Sequence, residues 1–308
     1  MNIETARQNL STKAVGELTQ ALLAVGREGT LSDLQAVMAH VKHADQHVRD
    51  AAIQATTTLI LSNLITHFND LEPAMRQKLG IIMESLDPLI IDEIGKELYS
   101  EDENRRLRAV QVLGLLKKNP SVRTVLAKLV QDRDVKIRAT AINLMGKFVD
   151  PRDHDVILSL VNDPDKRVRA NTIEALEGLG NKRVVPILLR LRKDPNNRIR
   201  GNVLKALYNL GFTEISEDLM EMLKSHDNFM RASSLWVVSQ IKLVTREIED
   251  QAGYFLLSDD EMVFRNAEKA LTALNTPRSQ GYIRYLMDQS EARNKTAQNP
   301  AAATVAGK

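Results

Sequence analysis

The chain has 308 residues, of which 43% are hydrophobic and only 4% aromatic, a composition typical of stacked helices with an aliphatic core rather than of sandwiches or barrels. It contains no cysteine, which excludes disulfides, thiolate zinc sites and cysteine nucleophiles. Its 42 basic and 40 acidic residues leave a net charge of +2, so the overall charge favours no class of partner.

Residues 1–30 are predicted to form one or two N-terminal capping helices. Their opening stretch, MNIETARQNLSTK, lacks the basic and then apolar segments of a secretory signal. No apolar run in the sequence approaches the roughly 20 residues that span a bilayer. We therefore expect a cytoplasmic protein that is not inserted in a membrane.

Three histidines come next, His40, His43 and His47, at spacings of 3 and 4 that suit one helical face. Such a face can bind zinc or nickel. The trio crosses a predicted turn, however, so we expect neither a metal site nor a cofactor. Residues 48–86 are then predicted to form two longer helices, separated near Asn69–Pro73.

A repeated pattern dominates the rest of the chain. Each copy has an Asp, six positions later an Arg beside an apolar residue, and then an amphipathic helix; the clearest copies are DRDVKIRATAINLMGKF, DPDKRVRANTIEALEGLG and DPNNRIRGNVLKALYNLG. The Arg residues, at spacings of 30, 31, 31, 31 and 34, are Arg108, Arg138, Arg169, Arg200, Arg231 and Arg265. Arg49 and Arg76 extend the series towards the N-terminus. A period this regular predicts a repeat architecture.

Each copy is predicted to be a pair of helices. The first is short, as in DVILSLVN, and the second runs for about four turns with apolar residues at helical spacing. The second helix that contains Arg169 is expected to end at Gly180 and to bury four apolar residues, Val168, Ile173, Leu176 and Leu179. No pair can bury its apolar stripe alone, so neighbouring pairs must stack. We expect an all-α fold, a right-handed α-α superhelix of seven or eight helix pairs over residues 31–288, followed by a disordered tail at 289–308.

The motif D-x-x-x-x-V/I-R-x-x-A/T-I-x-A-L-x-x-L-G resembles the short bacterial HEAT repeat, which also occurs in phycobilin lyase-like proteins. The resemblance covers about residues 30–288. The period of 31 residues is shorter than the ~40–47 residues of the longer HEAT and armadillo units. The resemblance implies an α-solenoid that binds a partner on the concave face formed by its second helices.

The recurring Asp and Arg residues have a structural and a catalytic interpretation. A reaction uses one site, whereas these residues occur in almost every copy, so we interpret them as bonds that hold the turns and the repeats together. The sequence shows neither a glycine-rich phosphate loop nor a nucleophile elbow. We therefore expect a protein that is not an enzyme.

One candidate binding surface is a row of cations two positions before the repeat Arg. It consists of Arg106, Lys136, Arg167 and Arg198. A cation at a helix N-terminus opposes the helix dipole, so helix stability does not require the row. In the alternative interpretation, nearby Asp residues neutralise it.

A second candidate surface surrounds Trp236, the only tryptophan, which lies five positions after its repeat Arg. The exposed face of the second helices is expected to carry Asn202, Lys205, Asn209 and Gln240 beside it. Exposed Trp with polar neighbours is typical of an interface hot spot. In the alternative interpretation, Trp236 lies flat on an adjacent repeat.

Three functions are compatible with these features. The leading hypothesis is a non-enzymatic scaffold that binds an acidic or mixed-charge protein partner on these surfaces. The second is a nucleic-acid-binding protein similar to the HEAT-like DNA glycosylases, which the near-neutral charge disfavours. The third, a phycobilin lyase-like enzyme or chromophore chaperone, is implied by the repeat resemblance alone.

Overall fold

The structure, a computed structural model, describes residues 1–148 and 150–298, with side chains up to Asp288. These residues form eighteen α-helices and a few short 3₁₀ turns, with no β-strand among them. The helices group into two compact units, Met1–Val156 and Ile157–Lys308.

The first unit begins with two helices that precede the repeat pattern and continues with helices of very different lengths. Its helices are α1 (Ile3–Asn9), α2 (Val15–Glu28), α3 (Leu34–Met38), α4 (Gln46–His67), α5 (Pro73–Leu86), α6 (Ile90–Leu98), α7 (Glu103–Leu113), α8 (Ser121–Leu129) and α9 (Val135–Phe148). The helix α10 (His154–Leu158) crosses the boundary to the second unit.

The second unit is more regular, since a short first helix alternates with a second helix of 13 or 14 residues as far as α17. Its helices are α11 (Lys166–Gly178), α12 (Val185–Arg190), α13 (Asn197–Asn209), α14 (Ser216–Leu223), α15 (Asn228–Ile241), α16 (Arg246–Tyr254), α17 (Glu261–Leu274) and α18 (Pro277–Gln298).

Consecutive helices pair as the repeat pattern predicts. Contacts join α3 with α4, α6 with α7, α8 with α9, α12 with α13, α14 with α15 and α16 with α17. With α1 and α2, which also contact each other, there are seven such pairs in the described part of the chain, and the short α10 precedes α11 in the same order. The predicted all-α fold of seven or eight helix pairs is confirmed.

The second helices of successive pairs pack side by side. In the first unit the contacts run from α2 to α4, from α4 to α7 and from α7 to α9; in the second they run from α11 to α13, α15 and α17. The helices of residues 1–30 therefore join the stack, because α2 packs on α4 as one second helix packs on the next. Ala6 on α1, Leu22 on α2 and Ala52 on α4 share one core.

Residues 46–86 depart from the repeat as predicted. They form α4, with 22 residues, and α5, which starts at Pro73 and packs on α4. At the other end, α18 continues through Gln298, ten residues into the segment that was expected to be disordered. The remaining residues, 299–308, lie outside the described part of the chain, so the disordered tail stays a prediction for them.

Three of the four core positions predicted for α11 are buried, whereas Leu179, the C-cap residue, is partly exposed. Val168, Ile173 and Leu176 are fully buried. The helix ends where Gly180 adopts the left-handed conformation, with φ of +64°, which a residue with a side chain adopts only under strain.

The repeated Asp and Arg close the turn that precedes each second helix, and α11 shows how. The Asp165 carboxylate caps the helix by accepting the N–H of Arg167 at 2.8 Å, while the N–H of Asp165 donates to the Asp163 carboxylate at 2.8 Å. Arg169 Nη1 then donates to the carbonyls of Asp163 at 2.8 Å and of Pro164 at 3.1 Å. We call this last interaction, from an Arg four residues after the cap to two turn carbonyls, the arginine clamp.

The same clamp recurs in both units, which confirms the structural interpretation of the repeated charges. In each case one terminal nitrogen of the guanidinium bonds the carbonyls six and five residues earlier. The residues that do so are Arg49, Arg106, Arg138 and Arg169. Arg231 differs slightly, since its Nε donates to the carbonyl of Ser225 at 2.5 Å.

The clamp corrects the sequence register at both ends of the series. Four residues after the cap residue Asp102 comes Arg106. Arg106 donates to the carbonyls of Ser100 at 2.7 Å and of Glu101 at 3.0 Å. The assignment of Arg108 to the clamp position was therefore wrong. Four residues after Asp260 comes Phe264, not Arg265. The sequence pattern places an Asp six residues before each Arg. In these two turns a serine occupies that position, and Ser100 and Ser258 accept the N–H of the cap residue.

Arg200 occupies the clamp position of α13 and behaves differently. It is buried, and it forms an ion pair with Glu221 of α14 at 2.9 Å. Glu221 also pairs with Lys193, so the pKa of this carboxyl lies below its usual range, first because of Lys193 and then because of Arg200. This Arg therefore joins two successive helix pairs.

Candidate partner-binding groove

A groove of about 400 Å³ opens on the second helices of the second unit. Its lining comes from α13, α15 and α17, together with Glu174 of α11. Small residues, among them Gly201, Ala232 and Ser233, lie beside much larger ones. We call it the second-helix groove. It lies on the face that the sequence analysis selected for partner binding.

Two aromatic side chains give the groove its apolar surface. Phe229, in the first turn of α15, is 63% exposed. Trp236, two turns further along the same helix, is half-buried, and the ammonium of Lys205 lies 5.6 Å from the centroid of its ring. Met262 of α17 lines the groove beside them. Because an exposed Phe and a partly exposed Trp share one concave surface, this surface can accept an apolar side chain.

The structure contradicts the expected exposure of Asn202. This residue also lines the groove, but only 2% of it is exposed, since its position on α13 faces the preceding second helix, α11. Its Nδ2 donates to the carbonyl of Ala170 at 3.2 Å and to Glu174 at 2.7 Å. A buried amide with two such bonds holds the helices together.

Other polar residues of α13 also reach across to α11. Arg198 donates to Asn171 at 3.1 Å and to Glu174 at 3.3 Å. Lys205 pairs with Glu177 at 2.9 Å, and Asn209 donates to the same carboxylate at 2.6 Å. The groove therefore has a polar rim, in which each of these cations already faces a carboxylate.

The expected row of cations is not a uniform basic surface. Arg106 closes the turn before α7 as an arginine clamp and leaves the row. Arg167 pairs with the cap residue of its own helix, Asp165, at 3.1 Å, so neutralisation by a neighbouring Asp, the alternative interpretation, applies here. Lys136 is exposed on α9 of the first unit.

The groove brings together only some of the predicted site residues. Arg198, Asn202 and Trp236 line it, and Lys205 contacts the Trp236 ring. Asn209 lies on the rim through its bond to Glu177. Gln240 is exposed near the end of α15, where it donates to Ser239 at 3.3 Å, and is not among the lining residues.

Sequence reasoning missed Phe229 and Met262, although a signal for both existed. Counted from the clamp position, each lies two residues before it, where α11 and α13 carry Arg167 and Arg198. A pattern of charged residues alone does not reveal this position in α15 and α17. The row therefore changes along the second unit from two arginines to two apolar side chains.

The histidines near the N-terminus have a local role. His43 lies in the turn before α4, and its Nδ1 accepts the N–H of the cap residue Asp45 at 3.1 Å, as Asp163 does for Asp165. The His40 ring lies beside it, tilted by 47°, with ring centroids 6.2 Å apart. In the part of the chain that the structure describes, no three His, Asp or Glu residues form a group that could hold a metal ion.

Comparison with known protein families shows which residues match a repeat family. Residues 91–161 and 154–239 match the family model of HEAT repeats. Residues 91–239 are HEAT repeats. The resemblance deduced from the motif is thus confirmed, and the match includes α7, α9, α11, α13 and most of α15. A search of curated protein sequences found no significant match.

Solved structures with similar helical arrangements include an engineered protein, with 16% sequence identity, a TM-score of 0.42 and coverage of 94% of this chain and 92% of the other. Another is the complex of CpcE and CpcF of phycocyanin lyase from Nostoc sp. PCC7120, with 16% identity, a TM-score of 0.45 and coverage of 94% of both chains. The assignment of HEAT repeats rests on the family match and on the helix pairs themselves. Among the described residues, no helix is long and apolar enough to cross a membrane.

Proposed function

We propose that this HEAT-repeat chain is a non-enzymatic scaffold that binds a partner protein in the second-helix groove. The observation that supports it most directly is the exposure of Phe229 beside Trp236 in a groove whose surrounding charges are already paired. Exposing an aromatic ring is unfavourable by about 25 cal/mol per Å² of apolar surface, and a partner that covers the ring recovers this free energy.

The groove is suited to a partner segment with one apolar anchor side chain. Interface energy concentrates in a few central residues, among which Trp is over-represented. Glu174 and Arg198 stand together on the rim, so a segment with charges of both signs beside its anchor matches the groove better than a uniformly charged one. The bonds from α13 to α11 hold the rim in place, which limits the entropy lost on binding.

The pairing of the cations weakens the alternative of nucleic-acid binding. A protein that binds phosphates must direct Lys and Arg towards them. Here Arg167, Arg198 and Lys205 each face a carboxylate of the same unit, and Arg106 bonds turn carbonyls. These contacts leave the protein-binding function as the better supported one.

The test begins with a photo-reactive phenylalanine analogue at position 229, used in the native host. Tyr99, which is 89% exposed in the first unit, provides a matched control position. We expect a protein cross-link from position 229 that is absent from position 99. Equal cross-linking from both positions would contradict the proposal, and a cross-linked species that nuclease digests would favour the nucleic-acid alternative.

The purified cross-linked partner then allows a direct titration, because Trp236 is the only tryptophan and its emission reports on the groove. We expect binding to shift this emission. Calorimetry, which does not need the tryptophan that Trp236→Ala removes, then compares the variants: Trp236→Ala and Phe229→Ala should each weaken binding about thirtyfold, equivalent to ~2 kcal/mol, whereas Tyr99→Ala should have no effect. Unchanged affinity in both groove variants would show that the partner binds elsewhere.

A further inference from the structure

A second concave surface lies away from the groove, between α16 and α18. This cleft has a volume of about 580 Å³, within the range of small-molecule sites. Three of the five tyrosines in the chain line it, namely Tyr254, Tyr282 and Tyr285, together with leucines that include Leu257 and Leu286. We call it the tyrosine cleft.

The apolar lining of the tyrosine cleft is exposed. Tyr254 is 68% and Tyr285 58% exposed, although both rings belong to helices that pack closely. Aromatic rings on two sides of a cleft offer flat surfaces between which a planar ring can stack. This arrangement favours a ligand with a ring over one with a flexible chain.

Two glycines give the cleft its shape. A Cβ on Gly253 would lie 2.5–2.7 Å from the ring of Tyr282, so the absence of a side chain allows this ring to lie directly on α16. A Cβ on Gly281 would meet no atom within 4 Å, and this residue also lines the cleft. Gly281 thus borders open space that a larger side chain would fill.

One end of the cleft is polar, and its carboxylate is already bonded to donors of this chain. Asp250 accepts hydrogen bonds from Arg278 Nε at 2.6 Å and from the Tyr282 hydroxyl at 2.7 Å, and Arg246 lies 3.7 Å from its other oxygen. The nearby Glu249 is buried and accepts a hydrogen bond from Thr276. The two charged residues that line the cleft, Asp250 and Arg278, are therefore paired with each other.

The pKa values of Asp250 and Tyr282 are consistent with these contacts. Hydrogen bonds, first from Arg278 and then from Tyr282, lower the pKa of Asp250. The same bond to Asp250 raises the pKa of Tyr282, which keeps its hydroxyl neutral. Asp250 is thus ionised at neutral pH and already engaged by Arg278. The Arg278 side chain nevertheless remains 40% exposed at the cleft, where its other N–H groups can donate to an anion.

From these contacts we infer that the tyrosine cleft binds a small organic acid with a planar ring system of one or two rings. The ring lies between Tyr254 and Tyr285, and the carboxylate accepts hydrogen bonds from Arg278. A cationic ligand would also suit aromatic rings, but Asp250, the carboxylate that lines the cleft, is already bonded to Arg278 and Tyr282. The remaining N–H groups of Arg278 therefore favour the acid.

Three probes of one shape test this inference by calorimetry: 2-naphthoate, its neutral amide 2-naphthamide, and the cation 2-naphthylmethylammonium. We expect naphthoate to bind at least tenfold more tightly than the amide, and the cation to bind most weakly. Tighter binding of the cation, or no binding of naphthoate, would overturn the inference.

Variants locate the binding. Gly281→Leu fills the cleft without a clash at its Cβ and should lower naphthoate affinity at least tenfold. Gly95→Leu is the matched control, because Gly95 lies within α6 and its Cβ would also meet no atom within 4 Å. Arg278→Gln should weaken naphthoate about tenfold without changing the affinity for the amide, and Arg278→Lys should retain most of the preference. Equal affinities in Gly281→Leu and Gly95→Leu would show that naphthoate binds outside the cleft.

Discussion

The turn before α11 and the second-helix groove belong to the same stack of helices but use different kinds of residue. In the turn, Arg169 and Asp165 are periodic in the sequence, charged and bonded to their own backbone. In the groove, Phe229 and Trp236 are aperiodic, apolar and partly exposed. In this repeat protein the periodic charged residues therefore stabilise the fold, whereas the candidate binding surface consists of residues that depart from the period.

Acid should have the largest effect on stability, because it protonates several carboxylates whose pKa values the fold lowers, two of which cap second helices. Hydrogen bonds from Arg167 lower the pKa of Asp165, and the N–H of Val263 lowers that of Asp260. The unfolded chain therefore takes up protons first as the pH falls. The stability that these carboxylates contribute is present above their ordinary pKa of about 3.9 and is lost as the pH drops through the lower folded values.

We therefore expect the urea midpoint to be constant between about pH 7 and 5 and to fall below about pH 4. Asp165→Asn provides the control, because Asn caps helices without titrating, as Asn196 does at α13. Its acid-induced loss should be smaller than that of the wild type. A midpoint at pH 3 equal to that at pH 7 would show that the caps do not stabilise the fold.

Arg169→Ala should have the next largest effect, a loss of about 1–3 kcal/mol, because it leaves the carbonyls of Asp163 and Pro164 without their donor. Arg167→Ala should cost less than about 1 kcal/mol, since Arg167 forms an exposed ion pair with Asp165. Denaturant midpoints compare the two variants. If both lost the same stability, the distinction between clamp and surface cation would fail.

Trp236→Ala should destabilise the protein by roughly 1–2 kcal/mol, less than the ~3–5 kcal/mol of a core aromatic. The ring is half-buried, and the change also removes its cation–π contact with Lys205. Thermal melts of the free protein measure this loss separately from partner binding. A loss of 4 kcal/mol or more would place Trp236 in the core and remove the argument for the groove.

Phe229→Ala should have the smallest effect on the free protein, within about 0.5 kcal/mol, because most of the side chain is already in water. The same melts detect it. Its effect on binding, in contrast, should match that of Trp236→Ala. A clear loss of stability in this variant would show that Phe229 supports the helix stack.

The fold was largely predictable from the sequence because one physical constraint recurs. Each helix pair must bury an apolar stripe against the next pair. Apolar residues such as Val168 and Ile173 therefore occur at helical spacing within each second helix, and this spacing predicts the helices. The turn chemistry was less accessible. Asp and Ser can accept the same cap N–H, so a register counted from Asp alone was wrong where serine replaces it, at Ser100 and Ser258.

The candidate site was predictable only in part. Helical spacing placed Trp236 and Lys205 on the same face, and they are in contact across two helices. Spacing within one helix says nothing about the distance to the next, so it could not show that Asn202 faces α11 and is buried. Nor could it show that Phe229 and Met262 line the groove with Trp236.

The helix pairs, their period and most of the residues that each pair buries follow from the amino-acid pattern, because these depend on local propensity and on one apolar stripe per helix. Which polar groups form hydrogen bonds with neighbouring residues depends instead on the tertiary structure. Whether Arg106 is a clamp or a surface cation, and whether Arg278 faces a cleft, depends on the distance to atoms many residues away. A hydrogen bond forms or fails within a few tenths of an ångström, a precision that a sequence pattern does not carry.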